Sequence, residues 1–287
     1  MTGPEGSDLG AINSRDDVRR GECQERPTSL IAEELAVSPG VLIEALRRRL
    51  DPGKYSASLS NETNLSPATS MDIAQVAKTR YTAKAFDPTK TVAPELIAQL
   101  RTVLRTSPSS VNCQPWHFFM AASAGAKARI AKAMHGNYAY NEPKVRNASH
   151  VFVLCGKNDL DDAHLQAILA QEDRDGRFAT PELMARQDKS RRFYVTLHQS
   201  QCNDECHWIS RQVYLALGSL LLAAGAVNVD ACPMEGFDAT VLDKELGLSE
   251  RRLTALVVVA LGYHSADDFN AKLPKSRLPE SAIFSEL

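Results

Sequence analysis

Two segments of this 287-residue chain carry polar and charged side chains in patterns that suit ligand binding. The segment from Pro108 to Trp116 is rich in small hydroxyl and amide side chains, and its prolines prevent it from continuing a helix. It therefore suits a polar ligand that is rich in heteroatoms. The segment Lys275-Ser276-Arg277 places two cations on a short stretch between prolines, a pattern that suits a phosphate group.

Eight short motifs follow one another between Met71 and Leu287, and the two segments above belong to them. In order, they are Met71-Asp72-Ile73, Lys84-Ala85-Phe86-Asp87, Pro108 to Phe118, Gly136 to Tyr138, Ala148 to Val151, Gln171 to Glu182, Pro233 to Asp238 and Leu273 to Pro279. Their identity and order closely resemble the oxygen-insensitive, FMN-dependent NAD(P)H nitroreductase family, in its dihydropteridine reductase branch.

The resemblance implies an α+β fold with a nitroreductase-like mixed central sheet flanked by helices. It also implies an intertwined homodimer with FMN at the subunit interface. The activity to expect is ping-pong, two-electron hydride transfer from NADH or NADPH to nitroaromatics, quinones or dihydropteridines. Neither a GxGxxG motif nor a phosphate-binding GxxxxGK[ST] loop occurs in the sequence, so the nicotinamide is expected to bind only transiently.

The resemblance also assigns residues to the FMN phosphate and to the flavin ring. Arg80, Lys275 and Arg277 match the phosphate-contacting positions, with Thr82 offering a hydroxyl and Tyr81 replacing a common histidine. Around the ring, the matching positions are Lys84, Asn141 and Lys144 on one edge and the backbone of Pro233, Met234, Glu235 and Gly236 on the other. Cations beside the first edge would stabilise the negative charge that the ring gains on reduction.

The partner subunit is expected to contribute further contacts. The resemblance assigns these to Pro108, Ser109, Ser110 and Asn112, with Gln212 as a weaker candidate. Val111, Tyr140 and Tyr194 match positions that shape the acceptor pocket. We expect Lys84, Lys144, Glu235 and Tyr194 to lie closest to the chemistry, with Glu235 acting through its backbone.

Composition narrows the class of protein. The net charge is −2, so nothing indicates a nucleic-acid partner. The apolar runs, such as Leu220 to Val229, fall short of the roughly 20 residues that span a bilayer. Six cysteines in a chain of this length do not make a disulfide framework. We therefore expect a cytoplasmic enzyme without a membrane or nucleic-acid partner.

Residues 1–70 differ in composition from the rest. They contain one aromatic residue, Tyr55, and are rich in Ser, Gly and Pro, so they bury too little to offset the entropy of ordering. Val41 to Leu50 has the apolar spacing of a docking helix, whereas Asp16 and Asp17 argue against a transit peptide. We expect residues 1–70 to be a dispensable extension and residues 71–287 to form the FMN-binding domain.

Helix and strand patterns alternate after Met71. The predicted helices span Leu96 to Leu104, Asp161 to Gln171, Pro181 to Leu197 and about Asn203 to Ala226, and the predicted strands span His117 to Ala122, Val151 to Leu154 and Leu256 to Leu261. The continuous Ala and Leu content of the longest helix predicts burial on more than one side.

Several cysteines and histidines admit another interpretation. His198, Cys202 and Cys206, with His207 next to them, have the spacing of metal ligands on one helical face. Since the segment between them is polar and the family has no metal there, we expect no metal site. Cys113 and Cys155 are predicted to be small fillers. Two alternatives stay open, a free-flavin reductase of the same fold and a flavin- or metal-binding module without turnover.

Overall fold

The computed structural model describes residues 71–287, and the predictions for residues 1–70 lie outside the described residues. Eight helices and four strands follow in this order: α1 (Ile73–Thr79), α2 (Pro94–Arg105), β1 (Trp116–Ala121), α3 (Ala124–Ala131), α4 (Glu142–Asn147), β2 (His150–Lys157), α5 (Asp162–Arg174), α6 (Pro181–Thr196), α7 (Glu205–Ala226), β3 (Asp230–Met234), α8 (Ala239–Leu246) and β4 (Leu253–Gly262). Short 3₁₀ turns occupy Ser110–Asn112, Gly136–Asn141, Ser249–Arg251, Phe269–Lys272 and Glu280–Ala282, and a π-helical turn occupies Leu197–Gln201. The predicted α+β class is confirmed.

The four strands form one sheet in the order β1-β2-β4-β3. Every pair of neighbouring strands is antiparallel, and the parallel element is a single bridge between Thr82 and Ala231. Because β2 and β4 are central, they carry nearly continuous apolar runs that are buried on both faces.

Alternate residues of each central strand enter different cores. On one face, Val151, Val153 and Val258 pack with residues of α3 and α8. On the other face, Phe152 and Val259 pack with residues of α2 and α7. The sheet is therefore the middle layer of three, as the family resemblance implies.

The helix α7 is the central support of the described fold. It packs against α1, α2 and all four strands, which confirms its predicted burial on more than one side. Among residues 71–287, it is the one helix long and apolar enough to cross a membrane by length and composition. The core helix of a layered fold meets the same criterion, and the contacts of α7 account for its apolar content.

A third apolar cluster lies under the loop between α2 and β1. It includes Cys113, Val195, Trp208 and Ile209, and Val111 packs against it. The loop therefore rests on α6 and α7, away from the sheet edge that carries β3.

The close approach of α1 to α7 depends on Gly225. A Cβ atom on Gly225 would lie 2.8 Å from Cβ of Arg80 and 3.2 Å from Cγ1 of Val76. Because Cβ of Arg80 is fixed to the backbone, the end of α1 would have to move. We predict that Gly225→Ala lowers the free energy of unfolding by about 1 to 3 kcal/mol, measured by chemical denaturation.

Gly125→Ala is the matched control, because Gly125 also lies in a helix but has no atom within 4 Å of its built Cβ. This change should leave stability unchanged or raise it by up to about 1 kcal/mol. Equal effects of the two substitutions would show that α1 is not held at this close approach.

Candidate functional site

The extended segment after α1 positions two sets of predicted site residues. The helix α1 ends at Thr79 with Arg80 as its C-cap, and the N–H of Ala83 donates to the carbonyl of Ala231 on β3 at 3.1 Å. The side chain of Asn270 donates to the carbonyl of Thr82 at 2.7 Å. Ala83 is fully buried in the core. Its fixed position also fixes the backbone of Arg80 and Lys84, which lie on either side of it.

Arg80, Lys275 and Arg277 meet at one cavity of about 420 Å³, which Tyr81 and Thr82 also line. The predicted phosphate-contacting residues are therefore brought together, although nearly 200 positions separate them in the sequence. Lys275 Nζ donates to the carbonyl of Ala77 in the last turn of α1 at 2.5 Å. Within residues 71–287, none of the three cations forms an ion pair with a carboxylate.

Burial and neighbouring cations disfavour the charged forms of Arg80 and Lys275. Burial and then the nearby Arg277 lower the pKa of Arg80, and burial and then Arg80 and Arg277 lower the pKa of Lys275. An anion bound between these cations would relieve their repulsion. The cavity therefore has the charge expected of a phosphate site.

A second cavity, of about 430 Å³, lies at the other end of the segment. Its lining includes the remaining predicted ring contacts of this chain: Lys84, Tyr140, Asn141, Lys144, Pro233, Met234, Glu235 and Gly236, together with Leu217, Cys232 and Val257. Lys144 is 8 % exposed, its Nζ donates to Oδ1 of Asn141 at 2.7 Å, and it lies 4.7 Å from the centre of the Tyr140 ring.

This cavity also holds uncompensated positive charge. Burial lowers the pKa of Lys144, and Lys84 lowers it further, while Cys232 acts in the opposite direction. Burial raises the pKa of the Cys232 thiol, which stays protonated near neutral pH despite the two lysines. Lys84 and Lys144 line this cavity and form no ion pair with a carboxylate in the described part of the chain, an arrangement suited to an electron-rich ligand edge.

The end of β3 supplies the backbone wall of the second cavity. Asn141 Nδ2 donates to the carbonyl of Gly236 at 2.9 Å. A Cβ atom on Gly236 would lie 3.0 Å from both Tyr138 and the hydroxyl of Tyr140, and 3.1 Å from Asn141, so a larger residue would displace these side chains by a few tenths of an ångström. The carboxylate of Glu235 accepts a hydrogen bond from the Tyr214 hydroxyl at 2.5 Å. Its side chain is thus engaged by α7, in keeping with a role for its backbone.

Asp268 links the two cavities and was not identified from the sequence. It is 1 % exposed and accepts hydrogen bonds from the N–H of Lys84 at 3.1 Å and from the Tyr81 hydroxyl at 3.4 Å. Burial first, and then Asp230 and Asp268, raise the pKa of Tyr81. The available signal was the Asp-Phe-Asn sequence, since Asp268 also caps the 3₁₀ turn that begins at Phe269.

The other predicted site residues lie elsewhere in this chain. Neither cavity is lined by any of Pro108, Ser109, Ser110, Val111, Asn112, Tyr194 and Gln212. Tyr194 is on α6, which packs against the 110–112 turn. The predicted contacts therefore form two separate groups within one chain. This separation is what contributions from two subunits require.

Gln212 uses both ends of its side-chain amide in hydrogen bonds within its own chain. Its Oε1 accepts from the N–H of Ser110 at 2.8 Å, and its Nε2 donates to the carbonyl of Trp208 at 3.0 Å. Asn112 Nδ2 likewise donates to Glu172 at 2.7 Å. A direct cofactor contact from Gln212 stays a prediction, and its observed contact is with the loop.

The His/Cys group lies at the junction between α6 and α7, as the predicted ends of these helices at Leu197 and about Asn203 imply. His198, Cys202 and Asp204, rather than Cys206, place ligand atoms within 4.8 Å of one another. The reason is that a π-helical turn and a short loop separate His198 from α7, so the spacing is not that of one helix. His198 and Asp204 already form a 2.6 Å contact, which is the largest cause of the lowered pKa of Asp204.

Cys113 and Cys155 are fully buried, and burial raises the pKa of each thiol to about 12. Their thiols are therefore protonated at neutral pH and do not act as nucleophiles. The prediction that they are small interior fillers agrees with this environment.

Comparison with known proteins identifies the group to which this fold and site are similar. The family model described as the nitroreductase family matches residues 77–263. The chain is 52% identical over 217 residues to the oxygen-insensitive NAD(P)H nitroreductase of Salmonella typhimurium, covering 76% of this chain and 100% of that one. It is 34% identical over 199 residues to the major NAD(P)H-flavin oxidoreductase of Aliivibrio fischeri, covering 69% and 90% of the two chains.

The fold is also found among solved structures. An FMN-bound crystal structure from Exiguobacterium sibiricum, described as a nitroreductase, superposes with a TM-score of 0.65 at 22% identity. The match covers 76% of this chain and 99% of that one, and it supports the fold.

The first cavity predicts a measurable response to anions. Inorganic phosphate, titrated against chloride at constant ionic strength, should raise the thermal unfolding temperature of flavin-free protein. At ten times its dissociation constant, the stabilisation should be about 1.4 kcal/mol, or roughly 3 to 6 °C for a domain of this size. The response should disappear in Lys275→Ala/Arg277→Ala.

Lys189→Gln is the charge control for this titration, because Lys189 is an exposed cation on α6 and lines neither cavity. It should retain the wild-type response to phosphate. A phosphate response that survives the double substitution would place the anion elsewhere.

Proposed function

This chain belongs to the nitroreductase family, and we propose that it is an FMN-dependent oxidoreductase that uses NADH or NADPH to reduce nitroaromatics, quinones or dihydropteridines. The observation that carries the proposal is the uncompensated positive charge at both ends of the segment from Arg80 to Lys84. FMN has a dianionic phosphate at one end and a ring that gains negative charge at the other. The two cavities fit both ends.

Different residues of the chain would bind the phosphate and the ring of FMN. Arg80, Lys275 and Arg277 would bind the phosphate, where a guanidinium fork can donate two hydrogen bonds. Lys84 and Lys144 would lie beside the ring edge that becomes negative, and Asn141 fixes the direction of the Lys144 ammonium. The Glu235 and Gly236 backbone would face the opposite edge without titrating.

FMN, when bound, supplies two-electron chemistry, accepting hydride from the nicotinamide and passing it to the acceptor. Lys144 would hold its ammonium beside the ring edge that gains negative charge, because it is buried in the cavity wall and its Nζ donates to Asn141 Oδ1 at 2.7 Å. Cys232 contributes no charge, since its thiol is protonated. The dihydropteridine acceptor in particular rests on the sequence motifs alone.

A homodimer with shared sites is part of the proposal. Its support is the separation of the predicted contacts, since Ser109, Ser110 and Asn112 lie away from both cavities of their own chain. Large apolar side chains that are exposed in the single chain also support a subunit interface. On α6 and α7, Phe193 is 49% and Leu215 is 51% exposed.

The C-terminal segment likewise presents Leu278 and Phe284, exposed by 70% and 67%. These surfaces suit an intertwined pair of chains. The two acceptor-pocket residues Val111 and Tyr194 would then reach the site from the partner, while Tyr140 belongs to the cavity itself.

One alternative activity has specific support. The relative from Aliivibrio fischeri is named as a flavin oxidoreductase, which favours free flavin as an acceptor. Turnover of NADH with excess free FMN and with a nitroaromatic, compared on one preparation, would rank the two activities.

The half-reactions test the proposed function directly. Purified protein should show a flavin spectrum that NADH bleaches without oxygen and that a nitroaromatic then restores. Lys144→Met should slow the bleaching by roughly 10-fold or more, because the cavity loses a cation. Stopped-flow absorbance measures both steps.

Lys132→Met is the matched control, because Lys132 is an exposed lysine paired with Glu245 outside the cavity. It should bleach at the wild-type rate. A protein that binds FMN but is never reduced by NADH or NADPH would leave the non-catalytic flavin module as the better interpretation.

Mixed dimers test whether the site is shared. Lys275→Ala/Arg277→Ala damages the cavity, and Ser110→Trp places a bulky ring on the exposed loop. Each variant alone should be nearly inactive. A dimer with one chain of each kind should regain about half of the activity, because one of its two sites is then undamaged.

Two differently tagged chains, co-expressed and purified in sequence, provide the mixed dimer for a nitroaromatic reductase assay. If the mixed dimer is as inactive as its two parents, each site is built within a single chain and the shared-site proposal is wrong.

A further inference from the structure

The loop between α2 and β1 has an unusual backbone. Val111, Asn112 and Gln114 have φ angles of 46°, 54° and 41°, all in the left-handed region. This region is unfavourable for residues with a side chain, and most of all for a β-branched residue such as Val111. A loop of this conformation persists only when its surroundings hold it there.

A buried ion pair holds this loop from below. Arg191 Nη2 donates to Oε2 of Glu172 at 2.6 Å, and Arg191 Nε donates to the carbonyl of Val111 at 3.0 Å. Oε1 of Glu172 accepts from Asn112 Nδ2 at 2.7 Å. The ion pair thus contacts two consecutive left-handed residues, Val111 through its backbone carbonyl and Asn112 through its side chain.

The burial of this pair is difficult to explain as a source of stability. The Arg191 side chain is fully buried and that of Glu172 is 4% exposed. The exposed Arg177 is a more distant partner of Glu172, with 3.9 Å between Arg177 Nε and Glu172 Oε1. Buried Arg191 Nη1 has no hydrogen-bond partner among the described residues. Buried ion pairs of this kind are often no more stable than apolar side chains of similar volume, so the pair is better explained by what it positions.

We propose that Glu172 and Arg191 are positioning residues that hold the turn at Val111 and Asn112 in the shape that binds FMN. The inference rests on the proposed function, in which this loop contacts the flavin of the partner subunit. Neither residue lines the two cavities assigned to the phosphate and the ring. Ser110, next to the contacted residues, is fixed from the other side by Gln212, so the loop has two independent anchors.

The proposal predicts a separation between folding and cofactor affinity. Glu172→Leu/Arg191→Met replaces both charges by apolar side chains and should unfold near the wild-type temperature. Its FMN affinity, measured by quenching of flavin fluorescence, should fall by roughly 10- to 100-fold because the loop is no longer held. Arg191→Lys keeps the charge but loses the planar fork that reaches Val111, so it should also weaken FMN binding.

Asp188→Asn/Arg192→Gln is the matched control. It removes the 2.8 Å ion pair between Asp188 and Arg192 on α6, and with it the ion pair of Arg192 with Asp162. Among the described residues, neither Asp188 nor Arg192 forms a hydrogen bond or ion pair with the loop. FMN affinity should stay at the wild-type level. Wild-type affinity in both Glu172→Leu/Arg191→Met and Arg191→Lys would overturn the positioning role and leave the proposed function intact. Wild-type protein that binds no FMN would instead overturn the proposed function.

Discussion

Positive charge without an ion-pair partner among residues 71–287 is the constraint on which the site depends. Arg80, Lys275 and Arg277 surround one cavity, and Lys84 and Lys144 line the next. A bound anion compensates such clusters and gains charge-assisted hydrogen bonds from them. This explains why a ligand with a phosphate at one end and an electron-accepting ring at the other suits both cavities at once.

Contacts within the layered fold keep these cations in place. β3 holds the segment from Arg80 to Lys84 through the bond between Ala83 and Ala231, and α7 supports α1 at Gly225. Asp268 joins the same segment to the C-terminal part of the chain. The loop at Val111 is held separately, by α5 and α6. Different contacts therefore support the cavities and the loop, although α7 contributes to both, through Gly225 and through Gln212.

Sequence patterns predicted the elements that are long and regular. The helices α2, α5, α6 and α7 and the strands β1, β2 and β4 lie where apolar periodicity placed them, with shifts of a few residues at their ends. The strand β3 was missed because it is short and contains Pro233, and α8 was missed because it has only eight residues. The break after Thr196 was predicted, because the polar segment around His198 separates a helix predicted to end at Leu197 from one predicted to begin near Asn203.

The site was only partly predictable from the sequence, because local patterns do not show which distant residues are in contact. The resemblance of several motifs to one family assigned Arg80, Lys84, Lys275 and Arg277 to the site. The structure brings these residues to two neighbouring cavities. The supporting contacts depend on pairs that are distant in sequence, such as Asp268 with Lys84. No local spacing encodes such a pair. The same is true of the buried contact between Glu172 and Arg191.

The most direct test compares the affinities of FMN and riboflavin for flavin-free protein by fluorescence quenching. The two ligands differ only in the phosphate that Arg80, Lys275 and Arg277 are proposed to bind. FMN should bind roughly 100-fold more tightly or better, as expected for two or more charge-assisted hydrogen bonds. Equal affinities, or no binding of FMN, would contradict the proposal that these cations form the phosphate site of a flavin enzyme.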